Sequence, residues 1–163
     1  MTKRDREHAV EYFLKRWRKM QDEISQVEED AASVAFSQGS GDPVQSSSIS
    51  DKTARGAFML TSIDEKRRWV QAITDGMEWL DEEQPDLRIL LYGHYGMKYT
   101  RGYKKKYARA FMNCYCAVFA ISESEYKSRK GDALDEIAFY ATEAGLLRNC
   151  KHLKSDFNRR KQW

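Results

Sequence analysis

The chain is 163 residues long, 41% hydrophobic and 33% charged, with 28 Lys+Arg against 25 Asp+Glu and a formal net charge of +3. That length suits one domain, or a small domain with an arm, and the apolar share is enough for a core. No run of about 18 apolar residues exists, which excludes a membrane-spanning helix, and so small a net charge does not by itself argue for nucleic acid. The distribution of charge says more. Basic residues gather at 15–19, 98–109 and 151–161, and acidic ones at 22–30 and 81–86. Such segregation fits a basic face presented to phosphates, the other reading being an ordinary mixed surface. Only two prolines occur, Pro43 and Pro85, and with the long periodic stretches they favour an all-α protein. The opening MTKRDREH has no apolar h-region, so no secretory signal is expected. Cys114, Cys116 and Cys150 make an odd count, read most simply as free thiols in a cytosolic setting.

In residues 1–35, Val10, Phe13, Trp17, Met20, Ile24 and Val27 are spaced alternately by three and four. This is a seam of period 3.5 on one long helix. It reads either as a self-association arm, giving a homodimer that matches two DNA half-sites, or as an amphipathic helix packed on its own domain. Residues 36–50, FSQGSGDPVQSSSIS, lack an apolar period and read as a flexible linker. The GSG at 39–41 is not a phosphate loop: no buried strand precedes it, and no lysine follows at the required spacing.

Residues 51–147 read as a helical domain. A helix starts near Asp51 or Thr53 and runs to about Asp81, with Ala54, Ala57, Phe58, Trp69, Ile73, Met77 and Leu80 as its stripe. Asp81, Glu82 and Glu83 suit the dipole of the helix that follows. Pro85 suits the first position of that helix. Leu87, Leu90 and Leu91 form its core side, and Gly93 or Gly96 its end. A fourth helix begins after Gly102, with Tyr107, Ala108, Phe111, Tyr115 and Val118 recurring at threes and fours. Small residues near its end, Cys116 and Ala120, allow two helices to cross closely at a turn. Ser122 and Glu125 then form a capping box, so a fifth helix starts at Glu123. It runs to about Ala144, with Tyr126, Ala133 and Leu134 inward and Gly145 as its C′ residue. Gly131 inside it costs about 1 kcal/mol relative to alanine. Leu146 and Leu147 pack back, and 148–163 is a basic tail.

A polar, basic helix opening after a sharp turn has the shape of a major-groove reader, so a helix-turn-helix is expected at about 104–140. Its base-reading candidates are Ser124, Lys127, Ser128 and Lys130. Lys98, Arg101, Lys104, Lys105, Lys106 and Arg109 would neutralise phosphates, and Arg129 either reaches phosphate or pairs with Glu125 one turn back. Tyr99, Tyr103 and Tyr107 interleave with the lysines. They could bond phosphates, stack on unpaired bases, or form a core stripe. Catalysis is not expected. His8, His94 and His152 are scattered, His94 with Cys114 being the one conceivable catalytic pair. Cys114 and Cys116, two apart on a helix, point to nearly opposite sides and suit no metal ion. No catalytic residue, metal or cofactor is assigned, and the chain reads as a non-enzyme.

The order of ISDKTARGAFML (49–60), LLYGHYG (90–96) and FAISESEYKSRKGDALDEIA (119–138), behind a helical arm and a Ser-rich linker, resembles the RinA/ArpU-type late transcription regulators of phages infecting Gram-positive bacteria. The resemblance covers roughly 50–147. It implies a C-terminal bundle like region 4 of bacterial sigma factors, with a scaffold helix followed by a recognition helix. It also implies duplex DNA as partner, control of late genes, and work in the cytoplasm of an infected or lysogenic host. The sequence departs from the pattern in MKYTRGYKKKYARAF (97–111), a basic, tyrosine-rich insertion before the scaffold helix. Two alternatives stay open. One is a phage Q-type antiterminator whose main partner is RNA polymerase. The other is a DNA-packaging terminase small subunit.

Overall fold

The computed structural model describes residues 2–36, 57, 60–61, 63–97 and 103–147. All regular structure among them is helical, as expected. The helices are α1 (Lys3–Leu14), α2 (Trp17–Phe36), α3 (Asp64–Glu83), α4 (Pro85–His94), α5 (Lys105–Val118) and α6 (Glu123–Glu143). No helix among the described residues is long and apolar enough to cross a membrane.

The single helix expected over 1–35 is two. α1 opens on a complete capping box: Asp5 N–H donates to Thr2 Oγ1 at 3.2 Å, and Thr2 N–H donates to Asp5 Oδ2 at 2.9 Å. It buries Arg6, Val10 and Leu14, one residue per turn. At Lys15–Arg16 the ladder tightens, Arg16 N–H donating to Phe13 O at 3.0 Å, before α2 resumes with Met20 N–H on Arg16 O at 2.8 Å. The break lets each half find its own partner, α1 lying on α6 and α2 on α3. Val10, Leu14 and Met20 belong to one core with Trp69, Leu90 and Leu134, while Ile24 and Val27 further along α2 are half-buried. Phe13 stacks on Trp69 with centroids 3.9 Å apart and planes 17° from parallel. Lys66–Glu23 at 2.6 Å and Arg67–Glu28 at 2.7 Å then tie α3 to α2.

The start expected near Asp51 or Thr53 lies outside the described residues. Residues 57, 60 and 61 are helical, but a turn at the buried Ile63 separates them from α3. Pro85 does sit at the first turn of α4. Of the two glycines proposed to end that helix, Gly96 does so, with φ +64° and Met97 N–H closing onto Tyr92 O at 2.9 Å. Gly93 instead lies inside α4, where any Cβ would collide with the Phe111 ring, so it permits close approach to α5.

The stripe expected on α5 is rotated. Ala108 and Tyr115 are buried, and Phe111, Met112 and Cys116 pack at the core edge. Tyr107 and Val118 are 43% and 77% exposed. Eleven residues make about three turns, so these two share one side of the helix, at the margin of its buried arc. α6 carries the longest buried run: Tyr126, Ala133, Leu134, Ile137, Ala138, Ala141 and Thr142. Gly145, at φ +71°, ends it as the C′ residue, Leu146 N–H reaching Ala141 O at 2.9 Å. Leu147 packs back into the core.

Candidate nucleic-acid interface

α5 and α6 are joined by a four-residue turn, 119–122. Phe119 N–H donates to Tyr115 O at 3.0 Å and Ile121 N–H to Cys116 O at 3.1 Å, with Ala120 between them at φ +50°. This is a Schellman end, satisfying carbonyls that α5 would otherwise leave unpaired. Alanine occupies the left-handed position that Gly96 and Gly145 fill at the other two such ends. Ser122 then extends (φ −76°, ψ 160°) and accepts from Glu125 N–H at 3.1 Å, starting α6 where expected. The reciprocal half of the expected box is replaced. The Glu125 carboxylate turns forward and accepts from Arg129 Nη2 at 2.9 Å.

The four base-reading candidates divide. Ser124, Lys127 and Ser128 are exposed on the first two turns of α6. Among the described residues the Lys127 ammonium pairs with the exposed Glu123 alone, at 2.7 Å. Lys130 is drawn the other way, donating to Glu11 of α1 at 2.7 Å with its side chain 24% exposed. Arg129, offered as a phosphate ligand or a partner of Glu125, takes the second role. It bridges Glu125 and Asp86 of α4, at 2.9 and 3.2 Å. Residues 129 and 130 therefore anchor α6 to α4 and α1.

Lys104, Lys105, Lys106 and Arg109 are exposed on the first turns of α5, and none forms an ion pair with a described residue. Cations at a helix N-terminus oppose the helix dipole, so this placement costs helix stability unless an anion is present. The Lys106 ammonium lies over the exposed Tyr107 ring, 5.1 Å from its centroid. Tyr103 takes the core role instead, its ring 5.9 Å from that of Tyr95 and 6.4 Å from that of His94. Lys98, Arg101, Tyr99, the basic tail and all but the first residue of the 36–50 linker lie outside the described residues.

Beneath this surface lies a polar cluster that the sequence reading missed. Glu11 accepts from Lys130 Nζ and from the Tyr95 hydroxyl at 2.8 Å. Burial penalises this carboxylate, but the two hydrogen bonds outweigh it and hold its pKa down at about 2. His94 Nδ1 and the Tyr126 hydroxyl lie 2.9 Å apart. Burial, then the Lys130 charge, press His94 down from 6.5 to about 4, against the pull of Glu11, so it is neutral near pH 7. The signal was faint: polar handles on Glu11, His94, Tyr95 and Tyr126, at positions whose neighbours are apolar. Cys114 is exposed and Cys116 half-buried, both free thiols. Searches against protein families, curated proteins and solved structures return no match to this chain.

Proposed function

We propose that this protein is a transcriptional regulator of the RinA/ArpU kind, binding duplex DNA through α5 and α6 as a sigma-region-4-like helix-turn-helix and controlling phage late genes. One observation carries this reading. Ser124, Lys127 and Ser128 share an exposed face at the start of α6, and the exposed cations Lys104, Lys105, Lys106 and Arg109, without an ion pair among the described residues, line the first turns of α5, at the end of that helix away from the turn. On this reading the first two turns of α6 enter the major groove, where lysine donates to guanine O6 and N7 and serine serves several bases. The α5 cations neutralise backbone phosphates and set the register without reading sequence. Arg129 and Lys130 hold α6 at its angle and contact no base.

The test is selection of bound sequences from a randomised duplex library at physiological salt. A recovered motif is expected, and paired half-sites within it would indicate a dimer. Replacing Lys104, Lys105 and Lys106 with alanine should weaken all duplexes alike and flatten the salt dependence by about one unit per lost contact. Enrichment of no motif, with binding that vanishes as salt rises, would sink the reading.

A second reading is favoured by a different observation. Val118 and Phe119, 77% and 38% exposed, put apolar surface at the turn itself. Exposed apolar side chains next to a recognition element suit a protein contact, as in an antiterminator docked on RNA polymerase. Co-purification with polymerase in the absence of DNA, lost in Val118→Ser, would favour it over the stand-alone regulator.

A further inference from the structure

On another part of the molecule, Trp17, Arg18 and Gln21 of α2 face Arg88 and Tyr92 of α4, and Met97 just beyond it, across a cleft of about 490 Å³. That volume falls within the roughly 300–1,000 Å³ typical of small-molecule sites. The walls combine two aromatic rings, two guanidinium groups and one primary amide, without a carboxylate among these lining residues. Arg18 is fixed in place, its Nε–H donating to Met97 O. The Arg88 guanidinium lies over the Tyr92 ring, 5.1 Å from the centroid, and its Nη1 pairs with Asp81 outside the cleft.

Two donors in these walls are unused. Trp17 Nε1–H and Arg88 Nε–H, on side chains that line the cleft, are shielded from water as placed, so a ligand meets them only when those side chains turn toward it, and neither has an acceptor among the described residues. Shielded donors without partners are rare because desolvation goes uncompensated. Indole and guanidinium nitrogens can only donate, so whatever satisfies them must bring acceptor oxygens or nitrogens. Arg18, which pairs with no carboxylate among the described residues, favours an anion, and guanidinium geometry matches phosphate. The Trp17 and Tyr92 rings favour a flat partner, since aromatic walls bind nucleobases by stacking.

We propose that this cleft binds a nucleotide. The phosphate accepts from Arg88 and Arg18, the base lies against the aromatic wall, and the Gln21 amide bonds the base edge. The Trp17 N–H is met by a base or sugar oxygen. None of these residues belongs to α5 or α6, so the proposal does not rest on the duplex-reading surface. The nucleotide is either free in solution or part of a single strand, and the two sources are separable by experiment.

The test is an N–H correlation NMR titration of the full chain. The Trp17 indole resonance is assigned by its disappearance in Trp17→Phe. Adenosine monophosphate should move that resonance saturably, and inorganic phosphate or adenosine alone should do so only at much higher concentration. Arg88→Gln should weaken the effect about tenfold or more, the loss of a charge-assisted hydrogen bond. Gln21→Ala is the second variant should Arg88→Gln fold poorly, and it should weaken binding of the same titrant. A shift with a short oligothymidylate but not with the mononucleotide assigns the site to single strands. An indole resonance that neither titrant moves overturns the proposal, as does an equal response to inorganic phosphate alone.

Discussion

The two halves of α6 are held by different physics. From Ala133 onward it is secured by burial, with Ala133, Leu134, Ile137, Ala138 and Ala141 almost without exposure. From Glu123 to Lys130 only Tyr126 is buried, and the orientation is set by Ser122 at the cap and by the tethers Arg129–Asp86 and Lys130–Glu11. Burial is strong but non-directional, whereas ion pairs are weak and directional. The division leaves Ser124, Lys127 and Ser128 facing solvent on a helix that cannot rotate. A groove-reading surface needs that: free side chains on a rigid element.

The largest effect that tests this contrast belongs to the buried half. Ile137→Ala should destabilise the fold by about 2–5 kcal/mol, measured by urea unfolding. A cost below about 1 kcal/mol would mean the α6 core is not packed as described.

Next is the acid response of the cluster where the halves meet. The folded-state pKa of His94, about 4, lies below its ordinary 6.5. The unfolded chain therefore binds the proton more readily. Stability from this group is complete above about pH 6.5 and is lost as pH falls toward 4. The interval corresponds to about 3 kcal/mol at 1.36 kcal/mol per unit, and about 2 after allowing for the ring's partial exposure. Glu11, held at about 2 against an ordinary 4.5, adds a second loss that begins near pH 5 and runs down to about 2. Between pH 6.5 and 5 the urea midpoint of His94→Gln should stay flat while that of the native protein drops. Parallel curves would remove His94 from this role.

Lys127 and Lys130 sharpen the comparison most directly, because they are the same residue one turn apart. Lys130→Ala strands the half-buried Glu11 carboxylate and should cost about 1–3 kcal/mol of stability. Lys127→Ala breaks only an exposed pair with Glu123 and should leave the urea midpoint almost unchanged. The order should invert for DNA. Loss of Lys127 should cost about 1–3 kcal/mol of preference for the selected site, and Lys130→Ala should keep its specificity ratio once correctly folded. Identical behaviour of the two variants in both assays would erase the distinction between reader and anchor.

What was legible in the sequence follows the range of the interactions. Ser122 at a cap, Pro85 at a helix start and Gly145 at a helix end are local chemistry, and each stands where its residue type implies. The break at Lys15–Arg16 carries no proline or glycine. It exists because α1 and α2 find different partners, which no window along the chain can show. Lys130 was grouped with Lys127 by spacing, and its true partner Glu11 lies 119 residues away. Tyr107 and Val118 fit the α5 period, yet periodicity gives the width of an apolar stripe and not which edge of it meets a neighbour.

The smallest effect lies at the turn between α5 and α6. Three helices end with a residue in the left-handed region, Gly96, Ala120 and Gly145. A Cβ in that region meets the following carbonyl, at about 1–2 kcal/mol for an L-residue. Ala120→Gly should relieve this, less the extra freedom glycine gains in the unfolded chain, about 0.4–1 kcal/mol. A net gain near 0.5–1 kcal/mol is expected, and Gly145→Ala should lose about 1 kcal/mol at the other end of α6. The pair must move in opposite directions. If Ala120→Gly destabilises, the turn that aims the exposed half of α6 is not a Schellman end, and the angle between α5 and α6 must be held by the Arg129 and Lys130 tethers alone.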